Sequence, residues 1–377
     1  MRTVSFTNRI RFCDILPAIL NTMHVSDLMQ EPLYPAWILL KRVYPPILFT
    51  FGLLGNFLSV LTLRKRKLTS TSLLLTSLAV TDSFVLTNCV VKSWIENMID
   101  FKIHLLSDAM CKFETFLYYF LLQLSPWLMV LITCERAYSV LRPASVRHTI
   151  TIVRTLAAVC LLVIILIGIN AHVLYTYSLI NNHCYAVHYE QFMFKIWTWV
   201  DMMMAFGLPF VFLLTGNVII LIRIRSSERF RTTSVYSTTN GTNVRVSRNR
   251  VSQWTAITLT LNTAFIVLVM PSVVFGIGQY YWFPPPLAET YVRMQFTSTI
   301  VFMLMYLNSA INFVFYMMLG SRFRADLKDL LSCMCTCWKP QSRRHSRSTE
   351  LTSVHSNNAS HGTHAHIQRD RSQHQSR

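Results

Sequence analysis

Charged side chains are scarce in this sequence, and acidic ones are the scarcest. Only 14% of the 377 residues are charged, whereas a soluble domain carries roughly a quarter. This deficit excludes an ordinary water-soluble domain. The 17 acidic residues stand against 35 basic ones, which gives a net charge of +18. Because the basic residues lie between long apolar runs, we expect their partner to be membrane lipid and not nucleic acid.

Motifs of enzymes and transporters are also missing. The chain contains neither His-Glu-x-x-His nor Gly-x-Ser-x-Gly, so the common metallopeptidase and serine-hydrolase sites are excluded. It lacks the two-half repeat of many transporters. Near the N-terminus, residues 15–20 form an apolar stretch too short for a cleavable signal. We predict a protein that is not an enzyme and whose first apolar span directs membrane insertion.

Apolar windows long enough to cross a bilayer, about 20 residues or more, recur along the chain. Pro209 and Pro271 lie inside the fifth and sixth windows, where neighbouring helices can satisfy the freed carbonyls. The pattern predicts an all-α membrane protein, a seven-transmembrane helix bundle over residues 36–320. The seven windows cover residues 36–63, 72–94, 111–141, 152–177, 194–222, 254–281 and 291–319.

Basic residues assign the loops to the two sides of the membrane. The first loop holds four consecutive cations, residues 64–67, and the third cytoplasmic loop has one acid, Glu228, among many arginines. Short loops rich in Lys and Arg face the cytoplasm. We therefore expect an extracellular N-terminus, residues 1–35, and a cytoplasmic C-terminus in the plasma membrane. The arginines of the third loop are Arg223, Arg225, Arg229, Arg231, Arg245, Arg248 and Arg250.

A short amphipathic eighth helix is predicted after the bundle, over residues 321–333. Phe323, Leu327, Leu330 and Leu331 share one face at helical spacing, with charged residues opposite. Helices of this kind lie on the membrane surface with the apolar face in the lipid.

Cysteines and a polar tail follow this helix. Cys333, Cys335 and Cys337 have spacing unsuited to a zinc knuckle. Their juxtamembrane place favours palmitoylation, with unmodified thiols as the alternative. Residues 334–377 are rich in Ser, His and Arg and are expected to be a disordered cytoplasmic tail.

Polar residues, prolines and one phenylalanine occupy defined places inside the apolar spans, where a polar group is costly and suggests a function. The set comprises Asn56, Asp82, Cys111, Ser125, Glu135, Arg136, Pro209, Phe265, Pro271, Asn308, Ser309, Asn312 and Tyr316. In this order and spacing they resemble the rhodopsin-like (class A) G-protein-coupled receptor family over residues 44–331. The resemblance implies a receptor that activates a heterotrimeric G protein and recruits arrestin through a phosphorylated tail.

The sequence departs from the family pattern at several positions. Val269 stands where the family usually has a tryptophan, two residues before Pro271. Phe313 replaces the usual proline after Asn312, and Asn217 stands where a tyrosine is common. The fourth span lacks the usual tryptophan. These departures bear on the activation relay and leave the predicted fold unchanged.

The resemblance places a polar core around Asp82 at the centre of the bundle. Oxygen ligands suit a small hard cation, so the core is expected to hold an allosteric sodium ion at Asp82. The alternative is a protonated Asp82 held by hydrogen bonds at a helix interface. The core residues are Asn56, Asp82, Ser125, Asn308, Ser309 and Asn312.

The resemblance also implies an activation switch at the inner end of the bundle. Arg136 follows Glu135, and a paired arginine costs less to bury than a lone one. The sixth span offers no acidic partner, so we expect no ionic latch between it and Arg136. Alternatives are a snorkelling Arg136 and a plain interfacial Tyr316. The switch set is Glu135, Arg136, Pro209, Phe265, Pro271 and Tyr316.

Two cysteines fall on the predicted extracellular side. Cys111 begins the third span and Cys184 lies in the second outer loop. That compartment is oxidising, and the resemblance implies a disulfide between the two. It would tie the loop over the ligand entrance.

Two ligand classes are excluded by single positions. Where light receptors of this family carry the retinal lysine, the chain has Tyr306. Where amine receptors carry an aspartate, it has Tyr118. Retinal and monoamine ligands are therefore not expected.

The outer half of the spans combines aromatic residues with a few charges, which suits a peptide with an aromatic and a cationic residue. The region around Trp199 and Asp201 looks like invertebrate receptors for amidated peptides of the FMRFamide and myosuppressin type. Asp201 or Glu96 is expected to pair a peptide arginine; the alternative is that both acids are solvated charges near the loops. The alternative is a chemosensory or orphan receptor for a small non-peptide molecule. The predicted pocket comprises Lys92, Glu96, Tyr118, Tyr119, Trp199, Asp201, Phe275, Gln279 and Phe302.

Overall fold

The computed structural model describes residues 25–65, 68–233, 241–282 and 288–337. Within this part of the chain seven helices are long and apolar enough to cross a membrane, as predicted. The protein is thus a multi-pass membrane protein with an all-α bundle. We label the helices α1 (Tyr34–Arg64), α2 (Ser70–Ile99), α3 (Asp108–Leu141), α4 (Ile152–Thr176), α5 (190–233), α6 (Gly241–Trp282) and α7 (Ala288–Leu319).

Two of the helices contain wider turns. In α2 a π-helical stretch, Leu86–Val91, joins Ser70–Val85 to Lys92–Ile99. In α5 two such stretches, Met193–Trp197 and Met203–Gly207, precede Pro209, which has no N–H to continue the helical ladder.

Trp127 of α3 satisfies a carbonyl at the second wide turn of α5. Its indole Nε1 donates to the backbone oxygen of Met204 across 2.9 Å. A carbonyl in the lipid core must find a donor, and here a neighbouring helix supplies it.

A β-hairpin covers one end of the bundle, between α4 and α5. Strands β1 (Tyr177–Ile180) and β2 (His183–Ala186) pair antiparallel. Asn181 and Asn182 form the turn with φ of 50° and 63°, the left-handed conformation that a two-residue turn needs and that asparagine tolerates. The backbone N–H of Leu179 donates to Asp108 at 2.8 Å, which ties the hairpin to the start of α3.

The core lies along α3, which contacts α2, α4, α5 and α6. Leu128, Met129 and Ile132 on this helix are each 1% exposed. Val269, at the position of the missing tryptophan, is buried in the same cluster as Phe265. The branched side chain fills core space there without a polar group.

Helices α1 and α7 approach closely because glycine lies between them. A Cβ on Gly52 would meet Ala310 Cβ at 2.8 Å, and a Cβ on Gly55 would meet Phe313 Cβ at 2.9 Å. Phe313 also packs edge-on against Phe323, with ring centroids 5.9 Å apart. The residue that replaces the family proline thus contacts both α1 and the helix after α7.

That last helix is α8 (Ser321–Cys337), and it confirms the predicted amphipathic helix. Phe323 and Leu327 are buried, while Leu331 is 44% exposed. Residues up to Leu330 form one compact unit; a second begins at Leu331, and the structure describes it as far as Cys337. The side chains of Cys333, Cys335 and Cys337 and the tail lie outside the described residues.

The largest differences from the predicted bounds occur around the third cytoplasmic loop. The prediction began the sixth span at residue 254, whereas α6 begins at Gly241; the fifth was expected to end at 222, whereas the helix runs to 233. Hydropathy detects only the part of a helix that crosses the membrane. It does not predict a polar extension of the same helix beyond the membrane. The other spans agree within a few residues.

Candidate functional site

The predicted polar core is assembled around Asp82 of α2. Asp82 is fully buried, and its Oδ1 and Oδ2 accept from Ser125 Oγ and Asn312 Nδ2, both at 2.7 Å. Ser309 also hydrogen-bonds to it. Asn56 donates to the backbone oxygen of Ser309 at 3.1 Å. Helices α2, α3 and α7 therefore meet at this one carboxylate, and α1 joins the core through Asn56 and Ser309.

The chemistry of this core fits a sodium ion. The carboxylate of Asp82 and the hydroxyls of Ser125 and Ser309 converge from three helices, and all are hard oxygen ligands. Asn308 is also buried, at 5% exposed. Over the described residues no group of three or more His, Cys, Asp or Glu could hold a metal ion. Sodium binding remains a prediction.

Arg136 lies at the opposite end of α3 from Cys111. Its guanidinium pairs with Glu135 Oε1 at 2.9 Å and donates to Thr71 Oγ1 of α2. Thr71 in turn donates to the same Glu135 oxygen at 2.9 Å. Arg136 and Glu135 are buried, at 7% and 9% exposed. The partners of Arg136 given above lie on α2 and α3. Helix α6, whose sequence contains no acidic residue, contributes none of them.

The remaining predicted switch residues lie on α5, α6 and α7. Phe210, next to Pro209, packs against Phe265 with ring centroids 5.6 Å apart. Tyr316 is 1% exposed and packs against Phe323. Its hydroxyl has no hydrogen-bond partner among the residues described. Burial argues against a plain interfacial aromatic.

The predicted disulfide is present. Cys111 of α3 and Cys184 of β2 are bonded, with Cα atoms 5.7 Å apart. The hairpin is therefore fixed over the end of α3 by this bond and by the Asp108 contact. We call this the disulfide end of the bundle and the other the Arg136 end.

Acids and bases pair inside the disulfide end. Lys92 of α2 forms an ion pair with Glu114 of α3, which is 8% exposed. Glu96 of α2 contacts His104 at 3.1 Å. Two of the predicted pocket charges, Lys92 and Glu96, thus have partners within the chain.

Aromatic side chains lie deeper at the same end. Tyr118 packs edge-on against Tyr119, and Tyr119 against Trp197 of α5, with ring centroids 5.8 and 6.0 Å apart. Tyr306 of α7 hydrogen-bonds with Cys89 and Tyr118, so α2, α3 and α7 meet at this tyrosine.

A cavity of about 170 Å³ opens between α1, α2 and α7. Phe302, one of the predicted pocket residues, lines it. Besides apolar residues such as Leu48 and Val90, its walls include aromatic and polar side chains and one cation. These are Lys41, Tyr44, Ser93, Trp94, Asn97 and Tyr306.

A second polar chain joins α3, α4 and α5. Asp201 Oδ1 accepts from Gln123 Nε2 at 2.8 Å, and Gln123 Oε1 accepts from Asn170 Nδ2 at 2.8 Å. Gln123 and Asn170 are completely buried.

Residues 55–316 match the family described as 7 transmembrane receptor (rhodopsin family). The chain belongs to this family. The family resemblance drawn from the buried polar residues is therefore confirmed, and a G-protein-coupled receptor of this family is not an enzyme. The chain is also 24% identical over 314 residues to a QRFP-like peptide receptor of Branchiostoma floridae, which covers 79% of each chain.

The predicted ligand-pocket residues of the receptor differ in their exposure and in their contacts. Trp199 is 54% exposed, whereas its neighbour Trp197 is buried at 4%. Phe275 is 3% exposed, and Gln279 donates to the carbonyl of Gly276 in its own helix at 3.4 Å. Tyr118 and Tyr119 lie within electrostatic range of Asp201, and Lys92 lies beside Glu114.

Sequence reasoning missed several residues of the receptor's polar interior. Glu114, Gln123 and Asn170 each sit within an apolar span, and a polar group there signals a partner on another helix. The sequence could have indicated Glu114 in this way, because it is an acidic residue inside the third apolar span, three residues after Cys111. The identity of each partner depends on helix rotation and packing, which periodicity alone does not determine.

Proposed function

We propose that this receptor resides in the plasma membrane, binds a short amidated neuropeptide and activates a heterotrimeric G protein. The observation that carries the peptide assignment is the similarity, along 79% of the chain, to a protein described as a QRFP-like peptide receptor. The alternative of a small non-peptide ligand has no comparable support from that relative.

The chemistry of the disulfide end supports a peptide. Aromatic faces at Tyr118, Tyr119 and Phe302 lie in the same half of the bundle as the charges of Lys92 and Asp201. Peptides combine apolar side chains with charges, so a wall of mixed character complements them. The hairpin held by Cys111 would border the entrance.

The sidedness that we propose follows from redox chemistry and charge. Disulfides persist outside the cell, which supports an extracellular position for the Cys111–Cys184 end. Cations cluster at the Arg136 end, where Lys65, Arg223 and Arg225 occur. The N-terminus is then extracellular and the C-terminus cytoplasmic.

Activation would proceed by a population shift. A peptide that binds the outward-moved state of α6 more tightly favours that state. The movement would open the Arg136 end, where Arg136 can leave Glu135 and contact the G protein. Sodium at Asp82 would favour the resting arrangement of α2, α3 and α7.

Further partners are proposed for the cytoplasmic side. Leu331 and the neighbouring apolar residues of α8 would contact lipid, and Cys333, Cys335 and Cys337 would carry palmitoyl groups. Arrestin would bind the tail when it is phosphorylated at its serines and threonines. These are Ser342, Ser346, Ser348, Thr349, Thr352 and Ser353.

The test is a panel of amidated peptides applied to cells that express the receptor, with calcium and cyclic AMP measured together. We expect a concentration-dependent response to at least one arginine-containing peptide. Arg136→Ala should abolish it at equal surface expression, while Arg142→Ala, an exposed arginine outside the Glu135 pair, should retain it. A response only to non-peptide compounds would overturn the proposal.

A further inference from the structure

Asp201 differs from four other acids at the disulfide end of the helices. Glu96, Glu114 and Glu289 each have a basic side chain close by, and Asp108 pairs with Lys112. In residues 25–65, 68–233, 241–282 and 288–337, no such pair forms at Asp201; its recorded partner is the neutral amide of Gln123, at 2.8 Å. A carboxylate in a membrane helix without a cation is costly.

The neighbouring amides are oriented in one sense only. Asn170 Nδ2 donates to the backbone oxygen of Leu166 at 2.8 Å. A backbone carbonyl only accepts, so the nitrogen of Asn170 must face it. The same nitrogen donates to Gln123 Oε1 at 2.8 Å. The side-chain oxygen of Gln123 therefore faces Asn170, and the side-chain N–H of Gln123 faces Asp201.

This orientation favours the charged form of Asp201 and fixes its direction. An N–H that points at a carboxylate stabilises the anion. Because Gln123 and Asn170 are both 0% exposed, water does not replace their bonds. The carboxyl Oδ1 is held on the α3 side, and Asp201 has further acceptor capacity.

Two tyrosines lie within electrostatic range of the same carboxylate. Asp201 interacts electrostatically with Tyr118 and Tyr119. Tyr118 is only partly buried, at 37% exposed. Trp197 packs edge-on against Tyr119. A carboxylate beside aromatic faces suits a planar guanidinium, which hydrogen-bonds to the one and stacks on the other.

We propose that Asp201 binds a cationic group of the ligand, a guanidinium for preference, and that Gln123 and Asn170 are positioning residues for this carboxylate. The inference selects Asp201 over Glu96, which His104 already contacts. It rests on the proposed peptide function for its physiological ligand, but the cation site itself is testable without a peptide.

The first test uses the purified receptor and Nα-acetyl-arginine amide as the probe. The probe should raise the unfolding temperature of the wild type, and the citrulline analogue, which is the same size and neutral, should not. Asp201→Asn should abolish the rise. Glu289→Gln, which removes an acid with its own basic partner, should keep it. No rise in the wild type, or an equal rise in the Asp201 variant, would overturn the proposal.

The second test compares Phe-Met-Arg-Phe-amide with its citrulline analogue in signalling cells. Loss of one partner of a buried charge pair costs about 30-fold or more in binding. Asp201→Asn should therefore lower the potency of the arginine peptide by that factor and leave the citrulline peptide unchanged. If every peptide of the panel is silent while the acetyl-arginine amide effect depends on Asp201, the peptide function fails and the cation site stands.

The positioning residues are tested by selectivity. Gln123→Leu removes a hydrogen bond to a charged group and should reduce the preference for the arginine peptide about tenfold. Asn170→Leu, which frees the Gln123 amide to rotate, should reduce it less. A merely structural role would weaken both peptides equally, and that result would remove Gln123 and Asn170 from the proposal.

Discussion

Asn262 of α6 donates its side-chain amide to Asn217 of α5 across 2.7 Å. The same nitrogen donates to Thr133 Oγ1 of α3 at 2.9 Å. Asn262 and Thr133 are 1% and 2% exposed. Three helices are therefore joined at one amide, in the half of the bundle that contains Arg136. Asn217, which stands where a tyrosine is common in the family, thus supplies the amide oxygen of this cluster.

Helix α6 carries no acid to pair with Arg136, so other contacts must hold it in the resting receptor. We expect the hydrogen bonds of Asn262 to contribute to this restraint. We expect Asn262→Leu to raise ligand-independent signalling. Interhelical hydrogen bonds in membranes contribute about 0.6 kcal/mol each, so loss of two predicts a rise of about five- to tenfold. The measurement is basal G-protein activity at matched surface expression.

Thr258→Val is the matched control for this change. Thr258 is equally buried on α6, at 3% exposed, but its hydroxyl donates to the Trp254 carbonyl in its own helix. Its basal activity should stay at the wild-type level. Equal basal activity in the Asn262 and Thr258 variants would show that the cluster does not restrain α6.

The contrast between Asp82 and Asn262 explains how far sequence reasoning reaches. The membrane spans were predicted from hydropathy. The disulfide and the polar core around Asp82 were predicted from the family resemblance, which supplies the interaction partners of each residue. Asn262 has no such pattern, and its contacts with Asn217 and Thr133 depend on how α5 and α6 rotate against α3. The exposed Trp199 beside the buried Trp197 illustrates the same limit. The π-helical turns of α5 change the direction in which each side chain points, and hydrophobic periodicity does not predict where such turns occur.

Gly52 should be intolerant of a larger side chain. An added Cβ would meet Ala310 Cβ at 2.8 Å and Ala310 Cα at 3.1 Å, and a backbone atom cannot move aside cheaply. We expect Gly52→Val to lower the free energy of unfolding by about 1–3 kcal/mol. Gly168→Val, where a Cβ has no neighbour within 4 Å, should have little effect. Thermal unfolding of the purified receptor measures both, and equal melting temperatures would contradict the close α1–α7 contact.

The Cys111–Cys184 bond should stabilise the receptor's disulfide end. It joins positions 73 residues apart, and loss of a native disulfide typically costs about 2–5 kcal/mol. Cys111→Ser and Cys184→Ser should lower the melting temperature equally, and the double variant should lower it no further. An additional loss in the double variant would mean that each cysteine contributes separately. Cys160→Ser, which removes an exposed free thiol, is the control.

Sodium dependence should follow Asp82. If the oxygen cluster holds sodium in the resting state, replacing choline chloride with sodium chloride should lower the potency of Phe-Met-Arg-Phe-amide in wild-type membranes by several-fold. Asp82→Asn keeps the size of the side chain and removes its charge, so it should abolish this dependence. Thr258→Val, outside the polar core and expected to keep wild-type basal activity, should retain it. A sodium effect that survives in the Asp82 variant would assign it to another site.

The membrane topology has a direct chemical test in two natural sequons. Asn240 and Asn358 each begin an Asn-x-Ser/Thr sequence, and both fall on the side that we propose to be cytoplasmic, outside the described residues. N-glycans are added on the other side of the membrane, so glycosidase treatment should leave the wild-type mobility unchanged. Met23→Thr creates a new sequon at Asn21 on the proposed extracellular side, and its band should shift with the same enzyme. A glycan on Asn240 or Asn358 would reverse the orientation and place Arg136 outside the cell, where it could not meet a G protein.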